Sequence, residues 1–456
     1  MKLSPYHNVF GEEIKQKYYQ MDLCNATTEG NKMAINNKFM ALSWNYDRGG
    51  VAIFDPNEYS HGKPGQKLLK GHTGNIFDLK FSPFRTDLLA SASEDCTVKL
   101  WQIPEEGLNE DIKNCVQMYK GHNRKVSLVA FHHLAADVIA SASVDHTIQV
   151  WNMIKSETYS LCKIHGSPTS LDWNEKGSLI AATDSNKKIT VFDPRTKNIV
   201  FSHTITEGRS PKFVWTGDET FAYVGFSKKY EREFKHFDIR KMDNKELCRV
   251  KIDEQVSIIT PYYDHQSKLL YVMGKGEATV NGYDFNEPYP RKCLNFSSGS
   301  PASSFCMIDR RNVNYNKNEI DRMAKWTAKN EIFYVSFFVL RKCARYEPHL
   351  YPHLPTYDPS MTYDEWVSGE NKPPKKIEIN KFENKFITRD DKFEKKEIEI
   401  SQLTPSEKYK KLQAKLSELE YGIQNLETIN EGIKKKITEE EIEVEKLEQK
   451  LNEVSA

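Results

Sequence analysis

The 456-residue sequence has almost no net charge, with 65 Lys and Arg against 64 Asp and Glu. That balance leaves no bulk positive field, which excludes non-specific nucleic-acid binding and leaves any charged partner to local patches. Long apolar runs are missing as well. The longest, Ile332 to Leu340, is half of the about 20 residues a membrane span needs. Met1 to Phe10 holds no run of the kind a secretory leader requires, so a soluble, cytoplasmic chain without leader or lipid anchor is expected. The eight cysteines never fall within four positions of one another. This excludes a zinc knuckle or redox pair and reads as scattered reduced thiols. There is no Gly-x-Ser-x-Gly elbow, and Gly274 to Glu277 lacks phosphate-loop spacing. No enzyme activity, cofactor or metal site is therefore expected.

What the sequence does contain is a repeat. "LLKGHTGNIFDLKFSPFRTDLLASASEDCTVKLWQI" and "MYKGHNRKVSLVAFHHLAADVIASASVDHTIQVWNM" superimpose at an offset of 50 residues. In both, a Gly-His pair is followed 29 positions after the His by a Trp, with an Asp six residues before that Trp. The residues are His72, Asp95 and Trp101, then His122, Asp145 and Trp151. This is the WD-repeat signature of a four-stranded propeller blade. Weaker copies continue the period through aromatic anchors at Phe54, Phe192, Phe237 and Tyr283, giving six blades. A seventh would come from residues 295–345, whose run "NEIFYVSFFVLR" suits a buried strand near the channel, and the repeats by themselves leave a ring of six or of seven blades open. The repeated His, Asp and Ser resemble a hydrolase triad, but a catalytic triad is needed once. Recurrence in two blades favours a hydrogen-bond relay that satisfies buried polar groups.

The expected architecture is all-β: a WD-repeat propeller over 1–345, an aromatic-rich extension over 346–370, a charged disordered linker over 371–404 and a helical coiled coil over 405–456. Tyr351, Tyr357, Tyr363 and Trp366 in the extension would be costly to leave in water, which predicts a strap lying on the propeller.

From Pro405 a heptad register is unbroken. Its a positions are Tyr409, Leu416, Ile423, Asn430, Ile437, Val444 and Leu451, and its d positions Leu412, Leu419, Leu426, Ile433, Glu440, Leu447 and Val454. Twelve of these fourteen are apolar, which predicts self-association. Mostly β-branched residues at a, mostly Leu at d and one Asn at a favour a parallel dimer, with a trimer second. Gly422 and Gly432 each weaken the helix by about 1 kcal/mol.

The segments "SEDCTVKLWQIPEEGL" (93–108), "GHNRKV" (121–126), "VFDPRT" (191–196), "VGFSKKYERE" (224–233) and "YDEWVSG" (363–369) resemble the coronin family in its short form, one propeller and a coiled coil. The resemblance implies a seven-bladed ring, an N-terminal strand near Tyr6 to Phe10 that closes it, and a strap on the underside. It also implies a non-enzymatic protein that binds and bundles F-actin, influences the actin-related branching complex and works at the cytoplasmic cell cortex. Arg124, Lys125, Lys228, Lys229, Arg232 and Lys275 carry over as actin-binding candidates. Near the N-terminus the chain departs from the family's basic motif, with Pro5 and His7 at positions where it has Lys and Arg. The competing expectation is a generic WD-repeat scaffold for trafficking or ubiquitin ligation. Peripheral membrane contact through Lys-rich loops is left open.

Overall fold

A computed structural model describes residues 4–381 apart from 47–48, 63–64, 206–210, 242–245, 288 and 342–345. The chain divides into two compact units, Met1–Phe386 and Ile387–Ala456. The whole coiled-coil seam, and the linker beyond Lys381, lie outside the described residues.

Nearly all of the regular secondary structure described in the first unit is antiparallel strand. Blade 1 is built from Met33–Ile35, Met40–Trp44, Gly50–Phe54 and Leu68–Leu69, and blade 2 from Ile76–Phe81, Leu88–Ser93, Thr97–Gln102 and Gln117–Lys120. Blade 3 comprises Val126–Phe131, Val138–Ser143, Thr147–Asn152 and Glu157–Lys163; blade 4 comprises Pro168–Trp173, Ile180–Asp184, Lys188–Asp193 and Asn198–Thr204. Lys212–Trp215, Thr220–Phe226, Arg232–Asp238 and Cys248–Asp253 form blade 5. Blades 6 and 7 share one seven-stranded sheet, because the long strand Arg291–Met307 serves both. Its first part is the outer strand of blade 6, after Ile259–Asp264, Leu269–Gly274 and Glu277–Asp284. From Ala302 onward it is the inner strand of blade 7, followed by Glu319–Thr327 and Ile332–Val339. The described residues thus hold seven four-stranded arrays. The inner strands of blades 1 to 6 touch in succession, blade 6 passes into blade 7 through the shared strand, and the end of Arg291–Met307 returns to Met33–Ile35, closing the circle.

The expected aromatic anchors all lie in third strands of their blades and are buried: Phe54, Trp101, Trp151, Phe192, Phe237 and Tyr283. Toward the axis the wedge narrows, and small residues take over. Leu88–Ser93 (LLASAS) and Val138–Ser143 (VIASAS) are buried throughout, because each blade is covered on both faces. Outer strands keep one face in water, as Asn198–Thr204 does.

Every blade also needs a residue of left-handed backbone just before its third strand: Gly49, Cys96, His146, Lys187, Tyr230, Gly276 and Asn330, with φ between 58° and 86°. This is the residue that follows a type I turn in a three-residue hairpin loop. Glycine and Asn adopt it at little cost, whereas the other four positions carry a β-carbon that resists it.

Three expectations need correction. The run Ile332–Val339 is not beside the channel but is the third strand of blade 7, and its continuous apolar character comes from burial between blades. The closing N-terminal strand is Val9–Tyr18 rather than Tyr6–Phe10, pairing Val9 with Val339 and Tyr18 with Ile332. Its sequence, VFGEEIKQKY, looks polar because an outer strand is half wet. The packed extension does not stop at Glu370. Lys376–Ile377 pairs with Leu354–Pro355, and Ile379 is buried against the core around Tyr6 and Leu350, so residues 371–381 are not linker.

The strap lies on the face that carries the loops between first and second strands. Ser360 N–H donates to Leu134 O at 2.8 Å and Ala136 N–H to Met361 O at 3.0 Å. A short helix, Tyr363–Val367, starts in a capping box between Thr362 and Glu365. It drives Trp366 fully into the body, where the indole N–H donates to Gly177 O at 3.0 Å and the ring meets Trp173 and His132. Burying such a side chain is worth about 2–3 kcal/mol.

Candidate interaction surface

The repeated triads form relays inside blades 2 and 3. In blade 2 the Trp101 indole N–H donates to Ser91 Oγ at 2.8 Å, Ser91 Oγ lies 2.7 Å from His72 Nε2, and His72 Nδ1 lies 2.8 Å from Asp95. Blade 3 repeats this with Trp151, Ser141, His122 and Asp145 at 2.8, 2.8 and 3.1 Å. Burial lowers the pKa of both imidazoles, so each is neutral, taking the Ser proton at Nε2 and donating from Nδ1. Burial also works against the Asp95 carboxylate, but hydrogen bonds from His72, Thr97 and the Thr73 backbone outweigh it and hold the group ionised. The serine hydroxyl faces Trp rather than an open pocket, and the geometry is that of a structural clamp.

These relays sit at the face opposite the strap, where chains enter each blade and where second strands turn into third strands. Arg124 and Lys125 lie in the loop entering blade 3, whereas Lys228 and Lys229 lie in the turn between the second and third strands of blade 5 and Lys275 in the equivalent turn of blade 6; all five are exposed. The structure therefore brings them to one face but in two groups, one at blades 2 and 3 and one at blades 5 and 6. Lys125 Nζ stands 5.2 Å over the Phe77 ring.

Arg232 does not join them. It is buried, gripping Asp253 through Nε at 2.5 Å and Nη2 at 2.6 Å, and Glu277 through Nη1 at 2.7 Å. A sequence motif rich in charge carried no sign that this one points inward, since its partners are 21 and 45 residues away.

What the sequence reading missed is the charged lining of the channel, a cavity of about 660 Å³. Lys275 stands at its mouth, and Asp78, Lys80, Asp172 and His265 line its wall. Asp78 accepts from the backbone N–H groups of Asn31 at 2.8 Å, Leu79 at 3.1 Å and Val129 at 2.9 Å, tying the segment before blade 1 to blades 2 and 3. The available signal was an acidic residue in two inner strands, "IFDLKF" and "PTSLDW", where apolar residues are the rule. Among the described residues no group of His, Cys, Asp and Glu could hold a metal ion.

Residues 62–102 and 113–152 match the WD domain, G-beta repeat family, and residues 1–60 match a domain of unknown function, DUF1899. The chain is 35% identical to Coronin-A of Dictyostelium discoideum over 435 residues, covering 93% of this chain and 96% of that one. It is 32% identical to Coronin-2B of Xenopus laevis, covering 88% and 86%. Among solved structures it is similar to the WD40 domain of Toxoplasma gondii coronin, with a TM-score of 0.79 at 32% identity, covering 82% of this chain and 97% of that one. Identity at that level, carried through almost the whole of both chains, is more than a shared propeller produces, and this chain belongs to the coronin family.

Proposed function

We propose that this coronin is a non-enzymatic actin-filament protein of the cytoplasmic cortex. Its propeller makes a weak, salt-sensitive contact, and its coiled coil joins two propellers so that filaments are bundled. The observation that carries the reading is the sorting of the two faces. Arg124, Lys125, Lys228, Lys229 and Lys275 are exposed on one, while the strap occupies the other. Exposed lysines interact through screened electrostatics, so each propeller alone binds modestly and loses affinity as salt rises. Joining two by a flexible linker adds on the order of 10²-fold in avidity when both engage. Influence on the branching complex belongs to the same reading.

The test is cosedimentation with pure filaments, using the full chain and a variant with Leu419 and Leu426 replaced by Glu. The parent is expected to pellet with filaments at high speed and to bundle them at low speed. The variant, its d layers charged, is expected to be monomeric by light scattering, to lose bundling and to keep weak decoration of single filaments. A parent that fails to pellet at low salt overturns the reading in favour of a generic scaffold. A monomer that still bundles places two filament sites on one chain.

A further inference from the structure

The exposed face of blades 5 and 6 holds more than charge. Three loops meet there: 227–231, 253–258 and 274–277. Arg232 laces them together, bonding Asp253, Glu277 and the Ser257 hydroxyl, the last at 3.0 Å, while Ser257 Oγ in turn donates to Glu277. The Lys275 N–H donates to Ile258 O at 3.0 Å. The carboxylates of this rim are turned onto basic side chains, Asp253 and Glu277 onto Arg232, and Glu231 and Glu254 onto Lys251 at 2.8 and 2.6 Å.

Outward from this lacing stand Tyr230, 67% exposed, and Val256, 73% exposed, with Ile258 at 39%. Lys228 and Lys229 immediately precede Tyr230, and Lys275 belongs to the neighbouring turn. Tyr230 also has the largest apolar ring among the seven left-handed turn positions, at φ 63°. A bulky side chain in that conformation is an outlier, and one that leaves its ring in water gains nothing for the fold in exchange. Strain of this kind clusters at functional sites, and here it is combined with a ring left in water.

We infer that Tyr230 and Val256 form an apolar anchor, rimmed by Lys228, Lys229 and Lys275, that inserts into a protein surface bearing carboxylates around an apolar spot. Resting on the filament reading above, the surface it enters is that of the actin filament. Interfaces place an aromatic anchor at the centre of a charged rim, where the rim supplies on-rate and salt dependence and the anchor supplies most of the free energy. Arg232 is a positioning residue for this patch, not a contact.

Tyr230→Gly makes the test clean, because glycine relieves the left-handed backbone and the propeller should unfold at a temperature no lower than the parent's. Binding to filaments should nevertheless weaken about tenfold, as loss of one aromatic anchor does, and the weakening should persist at high salt. Val256→Ser should act in the same direction. Lys228→Ala/Lys229→Ala should instead flatten the salt dependence and leave the high-salt remainder intact. A parent that pellets with filaments together with a Tyr230→Gly variant of equal affinity overturns the anchor alone. A parent that does not pellet overturns the filament reading and the anchor with it.

Discussion

Blades 2 and 3 bury their polar groups as a chain of single hydrogen bonds, Trp to Ser to His to Asp, with the one ionised member at the outer turn. Blade 7 does the opposite. Its second strand, Glu319–Thr327, is buried along all nine residues and carries Glu319, Asp321, Arg322 and Lys325. Arg322 holds Glu319 bidentately, with Nε and Nη2 each 2.7 Å from a carboxylate oxygen. Asp321 Oδ2 accepts from the Tyr271 hydroxyl at 2.6 Å, and close by Arg310 pairs with Asp264 at 2.5 Å and donates to Leu350 O of the strap at 3.1 Å. The relay blades can be repeated around a ring with one motif. Blade 7 is where chain closure, the N-terminal strand and the strap converge, and its polar groups are matched to those particular neighbours.

The comparison breaks most visibly at the ion pair. Arg322→Met leaves the fully buried Glu319 carboxylate without its guanidinium, which should cost about 3–5 kcal/mol. Adding Glu319→Gln should recover much of that loss, because a buried pair replaced on both sides removes the desolvation cost along with the attraction. Urea denaturation of the two variants measures this. A single variant as stable as the parent would show that the pair contributes nothing that Glu319 cannot find elsewhere.

Next in size is a pH effect confined to blade 7. Burial raises the Asp321 carboxyl to about 7, against the pull of Arg310 and with help from the neighbouring Asp264. Between about pH 4 and 7 the folded protein therefore holds a proton that the unfolded chain releases. Asp321 then adds stability at low pH that is lost as pH rises through this window, on the order of 4 kcal/mol in total. Asp321→Asn keeps an acceptor for Tyr271 and cannot ionise, so its stability should exceed the parent's increasingly from pH 5 to 7.5. The buried imidazoles of His72 and His122, whose pKa values are lowered, work in the other direction in both proteins and cancel in the difference. A difference that does not change with pH would remove Asp321 from this role.

The same contrast explains what was legible in the sequence. Blades 2 and 3 could be read to the residue, because a relay that repeats leaves fixed spacings among His72, Asp95 and Trp101. The strap was legible through its aromatic residues, since Tyr351 and Trp366 have no place in water. The second strand of blade 7 was not, because EIDRMAK reads as a wet surface until Arg310 and Tyr271 are placed beside it. Asp78 was missed, and Arg232 was misplaced among the surface candidates, for the same reason: a buried charge is revealed by its partner, and here the partner lies 20 or more residues away or on the backbone of another blade. The end of the strap was hidden by Lys375, Lys376 and Glu378, whose charges mask the two isoleucines that pack, Ile377 partly and Ile379 fully.

The smallest expected effect tests whether the relays are repeated units. His72→Ala removes the acceptor of the Ser91 hydroxyl and the donor to Asp95, and should cost about 1–3 kcal/mol. His122→Ala should cost a similar amount, since its bonds to Ser141 and Asp145 match those of His72 to within 0.3 Å. Trp101 and Trp151 belong to separate clusters of the core. The double variant should therefore lose the sum of the two to within about 0.5 kcal/mol, with filament binding per folded molecule unchanged. Chemical denaturation of the three variants decides it. A double variant costing clearly less than the sum would mean that blades 2 and 3 lose their order together once one relay fails, and they would then be one structural unit in spite of carrying two motifs.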